Sequence, residues 1–137
     1  ILSELDELTE ELGAAVIFIS HDLGVVAERC DRVAVMYCGQ IVEQAPTATL
    51  FQRPRHRYTE GLLASVPKLD PDSSGPLHAI PGSVPAPGEW PAGCRFAPRC
   101  RYADGVCRNQ TPPLHPLDGS EAACFHPAPS ETEAPKL

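Results

Sequence analysis

The prolines of this chain are concentrated in its second part. Fourteen of the 16 prolines lie at or after position 67. Proline fixes the backbone φ angle and lacks an N–H group, which disfavours helix interiors and central strands. The sequence therefore predicts an α/β first part followed by a Pro-rich, irregular extension. Residues 127–137 are rich in Pro, Glu and Ala, and we expect them to be disordered.

Charge and hydropathy disfavour two kinds of partner. The formal net charge is −7, whereas general nucleic-acid binding needs a basic face. No run approaches the roughly 20 apolar residues that a membrane-spanning helix needs. The sequence also opens without a basic and apolar signal segment. We therefore expect no nucleic-acid partner and a cytosolic location.

Hydrophobic patterning in the first part predicts short helices around one buried strand and one hairpin. The apolar run at 15–19 is rich in β-branched residues, which is typical of a parallel strand covered on both faces. Asp22 is the expected N-cap of the helix that follows. The other predicted elements are helices at 1–12, 23–29, 46–51 and 58–65 and a hairpin of residues 32–37 and 40–43 around Cys38-Gly39.

The predicted strand has no parallel partner in this sequence. Each unpaired buried backbone group would cost about 1–3 kcal/mol. We therefore expect the rest of its sheet to come from sequence upstream of Ile1.

His21 follows the predicted strand at its carboxyl end, where ligands bind in open α/β sheets. A neutral imidazole at that place can donate a hydrogen bond to a phosphate oxygen. The alternative is a surface or capping histidine, which the spacing alone favours. The surrounding string, residues 16–46, resembles the segment after the Walker B strand of ABC-transporter ATPases. The matching positions after His21 are Asp31, Arg32, Val33, Met36, Gly39, Ile41, Val42 and Glu43, whereas Ala45 stands where that family usually has glycine.

Residues 54–67, PRHRYTEGLLASVP, resemble the H-P-Y-T-x-x-L-L-x-x-x-P segment of the oligopeptide, dipeptide and nickel branch of these ATPases. Arg57 replaces the usual proline, and Thr59 is a weaker candidate helix cap. We interpret His56 and Tyr58 as packing residues. The matching positions are His56, Tyr58, Thr59, Leu62, Leu63 and Pro67.

Four cysteines in the extension are candidate metal ligands: Cys94, Cys100, Cys107 and Cys124. A Pro-rich stretch buries few apolar side chains and needs an internal crosslink. Zinc sites usually contain a C-x2-4-C pair, which is absent here, whereas iron–sulfur clusters accept longer spacings. On this chemistry alone, an iron–sulfur cluster and a zinc site are about equally favoured as the crosslink, and disulfides rank third. We expect Arg95, Arg99, Arg101 and Arg108 to offset the charge of a thiolate cluster.

The pattern G-C-x-F-x-x-R-C followed by two more cysteines resembles the C-terminal extension of peptide-importer ATPases. Some members carry a [4Fe–4S] cluster there, so the resemblance implies that cluster on the four cysteines, with Zn²⁺ as the alternative. His126, two residues after Cys124, is a less favoured ligand for a mixed zinc site. Cys30 and Cys38 are interpreted as ordinary buried or turn residues.

Together these resemblances imply the C-terminal part of an ABC-ATPase (P-loop NTPase) domain at 1–52, a peptide-importer extension with a four-cysteine site at 53–126, and the tail at 127–137. His21 would be the switch histidine, a catalytic residue that contacts the γ-phosphate of ATP bound with Mg²⁺. The implied subunit lies on the cytoplasmic face of the bacterial inner membrane and works with a second ABC ATPase subunit and transmembrane permease subunits to import peptides or nickel.

The sequence lacks the P-loop pattern G-x-x-x-x-G-K-[ST] that cradles phosphates. It also lacks the family's signature motif and its Walker B acids. No carboxylate can therefore be assigned to bind Mg²⁺ or to orient the attacking water. We therefore expect no ATP hydrolysis by this chain alone. The alternative function is a stand-alone, non-enzymatic metal-binding module with four cysteine ligands.

Overall fold

A computed structural model describes residues 4, 7, 9, 11–66 and 79–129. The chain divides into two compact units, residues 1–30 and 31–137. Among the described residues, no helix has the length and apolar character needed to cross a membrane.

Within the described part of the first unit, helix α1 (Leu23–Arg29) is described over its whole length. Asp22 caps it as predicted, because its Oδ1 accepts the N–H groups of Gly24 at 2.9 Å and Val25 at 3.1 Å. Upstream, the described positions 4, 7, 9, 11 and 12 are helical. Gly13 follows with a φ of +58°, a conformation that suits glycine and stops a helix.

The predicted buried strand at 15–19 is wrong for this chain as described. Residues 14–20 form no strand, and the side chains of Ile17 and Ile19 are 92% and 93% exposed. A parallel strand exists only where a neighbour takes up its backbone hydrogen bonds. No described strand of the first unit provides that neighbour, so the apolar run is extended but unpaired.

The second unit is built on the predicted hairpin. Strand β1 (Arg32–Tyr37) pairs antiparallel with β2 (Gln40–Pro46). Cys38 and Gly39 form the turn with φ angles of +47° and +77°, the combination that a two-residue type I′ turn requires. The pairing register shifts between Val35 and Met36, where β2 has one extra residue. The second strand is longer than the predicted 40–43.

Two short helices follow the hairpin, close to their predicted positions. They are α2 (Thr47–Gln52) and α3 (Arg57–Ala64). The residue that caps α3 is His56, whose Nδ1 accepts the N–H of Tyr58 at 3.0 Å. Thr59, the candidate cap, is instead fully buried inside the helix.

The Pro-rich extension is not wholly irregular. It contains a 3₁₀ turn (Ala97–Arg99), helix α4 (Gly105–Asn109) and strands β3 (His115–Leu117) and β4 (Ser120–Ala122). The sheet order is β1-β2-β4-β3, so β4 adds to the hairpin and β3 forms an edge. Pro116 lies in that edge strand, a place in a sheet where proline's missing donor is tolerated.

The core joins the hairpin to the extension. Phe96 packs against Tyr37 edge to face, with ring centroids 5.4 Å apart. At the far end, the N–H of Ala128 donates to the Arg55 carbonyl at 2.8 Å, so packed structure reaches into the predicted tail. Residues 130–137 lie outside the described residues. The buried core residues are Val35, Tyr37, Val42, Ala45, Leu50 and Phe96.

Candidate metal centre

The four candidate cysteines come together at one place. Cys94 and Cys100 flank the 3₁₀ turn, Cys107 lies in α4, and Cys124 follows β4. All four line one small cavity. No disulfide joins any of the six cysteines of the chain, each of which is at a described position. The structure thus brings together four cysteines from segments that span 30 residues of sequence, and their role as metal ligands stays a prediction.

A close backbone contact holds the first and third of these cysteines together. The N–H of Cys94 donates to the carbonyl of Cys107 at 2.8 Å. Gly93 makes this contact possible, because a Cβ atom there would lie 2.4 Å from the carbonyl oxygen of Cys107. Asp104 caps α4, since its Oδ1 accepts the N–H of Cys107 at 3.0 Å.

The thiols influence one another electrostatically. Burial is the main cause that raises the pKa of Cys94, and Cys107 and Cys100 raise it further. Burial is also the main cause that raises the pKa of Cys124, with additional effects from Cys100 and Cys94. Thiolates that line one cavity repel each other, and a bound metal would offset that repulsion. The arrangement therefore fits a soft metal centre better than four independent thiols.

His56 lines the same cavity, although the sequence indicated only a packing role. Its side chain is 1% exposed, and its ring lies 6.0 Å from that of Phe96. Burial is the main cause that lowers the pKa of His56 to about 4. The H-P-Y-T resemblance marked the position, but no local signal in the sequence connects it with cysteines 38 or more residues away.

Glu43 fixes the backbone on which His56 stands. Its side chain in β2 is fully buried. One carboxylate oxygen accepts the N–H of Arg55 at 2.7 Å, and the other accepts the N–H of His56 at 2.8 Å. These two bonds hold the segment before α3 against the sheet and so orient the histidine ring.

The four arginines expected to offset the charge of a cluster lie outside the lining of the cavity, and their screening role stays a prediction. None of the four predicted arginines is among the described residues that line the cavity, whereas Arg57 is. Arg95 stacks on Trp90 at 3.7 Å and donates to the Cys38 carbonyl. Arg99 donates to the Pro81 carbonyl at 2.9 Å. These two guanidinium groups bind to loops near them through backbone carbonyls and an aromatic ring.

A second group of potential ligands lies beside the cavity. Asp104, Cys107 and His126 each offer one ligand atom, and these atoms all lie within 4.8 Å of one another. Nε2 of His126 is 2.9 Å from Oδ2 of Asp104. The pKa of Asp104 is lowered to about 2, mainly by the Cys107 N–H and then by His126. A carboxylate, a thiol and an imidazole at this spacing are a suitable donor set for Zn²⁺.

His21 lies in the first unit, exposed, directly before the Asp22 cap. The segment before it is the unpaired apolar run. The described residues of that unit form no nucleotide-binding site around His21. Its assignment as a switch histidine stays a prediction.

Comparison with known proteins gives a consistent result. Residues 42–107 match the family model described as "Oligopeptide/dipeptide transporter, C-terminal region". The chain is 47% identical over 131 residues to a putative peptide import ATP-binding protein of Brucella abortus, covering 96% of this chain and 39% of that protein. It is 48% identical over 126 residues to the oligopeptide transport ATP-binding protein AppD of Bacillus subtilis, covering 91% and 38%. The chain therefore spans about two fifths of the length of these relatives.

Proposed function

This chain belongs to the ATP-binding proteins of oligopeptide-type ABC importers and matches their C-terminal region, and we propose that it is part of the subunit whose ATP hydrolysis powers peptide import. The observation that carries this proposal is the identity of 47–48% over more than nine tenths of the chain. The relatives are named as ATP-binding proteins, which favours the importer over a stand-alone metal-binding module. Nickel is the alternative cargo.

The rest of the assembly follows from this proposal. The subunit would bind ATP with Mg²⁺ and pair with a second ABC ATPase subunit. It would sit peripherally on permease subunits, at the cytoplasmic face of the bacterial inner membrane. These 137 residues contain no P-loop pattern, so we propose that they do not hydrolyse ATP by themselves.

The importer proposal is tested at His21 in the complete importer. We expect His21→Ala to lower ATP turnover roughly 10- to 100-fold, because a hydrogen bond to a charged phosphate is worth about 1.5–3 kcal/mol. ATP binding to the subunit should be retained. His115→Ala is the matched control, since that histidine lies in strand β3 of the extension. Turnover of the His21→Ala importer equal to that of the control would contradict the assignment.

For the extension, we propose that Cys94, Cys100, Cys107 and Cys124 hold a [4Fe–4S] cluster. The support is that all four line one cavity, and that a cluster, being larger than one ion, suits ligands arranged around a cavity. A bound cluster would supply a covalent crosslink between the 3₁₀ turn, α4 and the segment after β4. The protein's own part is to hold the four thiols in place, through the Gly93 contact and the Asp104 cap.

Metal analysis of the anaerobically purified full chain tests this part. We expect about four iron and four sulfide per chain, with a brown absorbance. Cys100→Ser should lose most of the iron, whereas Cys30→Ser should keep it, because Cys30 does not line the cavity. Iron retained in Cys100→Ser, or absent from the unmodified chain, would contradict the cluster.

Zinc is the second candidate, favoured by the close group of Asp104, Cys107 and His126. Under this alternative the chain would contain about one zinc and no sulfide. The variant Asp104→Asn would then lower the zinc content, whereas an iron centre on four cysteines should keep its iron in that variant.

A further inference from the structure

His56 has a buried ring nitrogen without a hydrogen-bond partner. Its side chain is 1% exposed. Nδ1 is occupied, because it accepts the N–H of Tyr58. Nε2 is buried and forms no hydrogen bond with any described residue. The backbone of Ala123 lies near enough to raise the pKa of His56, but it does not form a hydrogen bond with Nε2.

The hydrogen bond at Nδ1 decides where the ring proton is. A nitrogen that accepts an N–H must present its lone pair, so Nδ1 carries no proton. In the neutral imidazole the proton is then on Nε2. Burial keeps the ring neutral at physiological pH, since the pKa of His56 is lowered to about 4. Nε2 is therefore an N–H donor and cannot be a metal ligand.

A buried donor without an acceptor is destabilising, so such groups are nearly always satisfied in the functional state. His56 lines the cavity together with the four cysteines. The groups that a metal centre would place in this cavity are sulfurs, either cysteine thiolates or inorganic sulfides. Anionic sulfur accepts hydrogen bonds from N–H groups, and such bonds tune iron–sulfur centres.

Arg57, whose guanidinium also offers N–H donors beside the cavity, does not compete for this role. Arg57 donates from Nε to the His126 carbonyl at 2.8 Å and from a terminal nitrogen to the Pro127 carbonyl at 3.2 Å. Its remaining terminal nitrogen pairs with Glu60 at 3.1 Å. All three guanidinium nitrogens are thus occupied, whereas Nε2 of His56 has no such bond.

We propose that His56 donates a hydrogen bond from Nε2 to a sulfur of the metal centre and thereby tunes its reduction potential. This inference rests on the proposed cysteine-bound cluster. His56 is a positioning and tuning residue, fixed from behind by Tyr58 and Glu43. An N–H dipole directed at a sulfur stabilises the more negative, reduced cluster, so it raises the reduction potential.

The test compares the reduction potential of the full chain with that of His56→Asn. Asparagine is a favoured N-cap, so it can keep the acceptor for the Tyr58 N–H while removing the ring donor. We expect the variant to retain iron and sulfide, with its potential shifted in the negative direction. A tenfold change in the ratio of reduced to oxidised cluster corresponds to about 59 mV for one electron. The control is His115→Asn, which should leave the potential unchanged.

The possible outcomes distinguish the role of His56 from the presence of the cluster. Iron and sulfide in both proteins with equal potentials would overturn the role of His56 and leave the cluster intact. Absence of iron and sulfide from the unmodified chain would overturn both. If His56→Asn does not fold, pulsed electron paramagnetic resonance on the reduced cluster, with ¹⁵N-labelled histidine, decides the matter. We expect a nitrogen coupling that persists in His126→Asn, and its absence would overturn the proposal.

Discussion

At the scale of single residues, the candidate centre depends on side chains and backbone groups outside the cysteine set. Gly93 lets the chain approach the carbonyl of Cys107, and Glu43 fixes the backbone before α3 through the N–H groups of Arg55 and His56. Neither residue offers a thiol or an imidazole. Their contribution is geometric, because Gly93 permits and Glu43 makes a close contact between segments that are separate in sequence.

Gly93→Ala tests this dependence. The added Cβ would lie 2.4 Å from the Cys107 carbonyl oxygen and 2.6 Å from the carbonyl carbon of Arg108. Backbone cannot move as a flexible side chain does, so we expect a loss of about 1–3 kcal/mol in the free energy of unfolding. The iron content should fall as Cys94 and Cys107 move apart. Urea unfolding and iron analysis provide the measurements.

Gly105→Ala is the matched control, because a Cβ there would meet nothing within 4 Å. That glycine is the first residue of α4, where alanine is a better helix former. Unchanged stability and iron content in Gly93→Ala would show that the segments can separate without consequence, contrary to our expectation.

At the scale of secondary-structure elements, the hairpin turn contains a correctable strain. Cys38 has a φ of +47°, a left-handed conformation that costs an ordinary residue roughly 1–2 kcal/mol. Asparagine adopts this conformation more readily and is favoured before glycine in type I′ turns. We expect Cys38→Asn to raise the free energy of unfolding by about 0.5–1 kcal/mol, measured by urea denaturation.

The same substitution separates the turn from the candidate centre, since Cys38 does not line the cavity. Iron content should therefore be unchanged in Cys38→Asn. A lower urea midpoint would show that the packing of the Cys38 side chain against the core outweighs the strain of its φ angle, and a loss of iron would show that the turn and the centre are not separate.

The elements that could be predicted from sequence are those with local signals. Asp22 predicts the start of α1, and the Cys38-Gly39 pair predicts the hairpin turn, because caps and turns depend on neighbours in the chain. Strand β4 could not be found in this way. Its partner residues are distant, as in the pair Gln44 and Glu121, and its sequence is short. The strand predicted at 15–19 is wrong for a related reason. An apolar run predicts burial, but it does not show whether a neighbouring strand is present to pair with it.

The candidate site shows the same division. The four cysteines could be proposed from spacing and resemblance, because metal ligands are few and chemically distinctive. Arg57, which lines the cavity, and the buried Nε2 of His56 could not, because both follow from how α3 packs against the extension. The arginines next to the cysteines in sequence were expected to act there, but Arg95 and Arg99 reach other loops.

At the scale of the whole molecule, the second unit combines a sheet and a cavity that share one segment. The N–H of Ala123 donates to the carbonyl of Val42 at 2.8 Å, and the next residue is Cys124, which lines the cavity. A metal bound to the four cysteines would therefore hold the end of β4 against β2. Because metal-binding free energy adds to folding free energy in such sites, occupancy should stabilise this junction.

Removal of the metal tests this coupling by hydrogen exchange on the full chain. We expect the amide of Ala123 to exchange at least about tenfold faster after anaerobic chelation, since a tenfold change corresponds to about 1.4 kcal/mol of local stability. The amide of Val26 is the internal control, because it donates to the Asp22 carbonyl within α1 of the first unit. Its exchange should stay the same. Equal exchange at Ala123 before and after metal removal would mean that the sheet is stable without the centre, so the cysteines would have to serve something other than the fold.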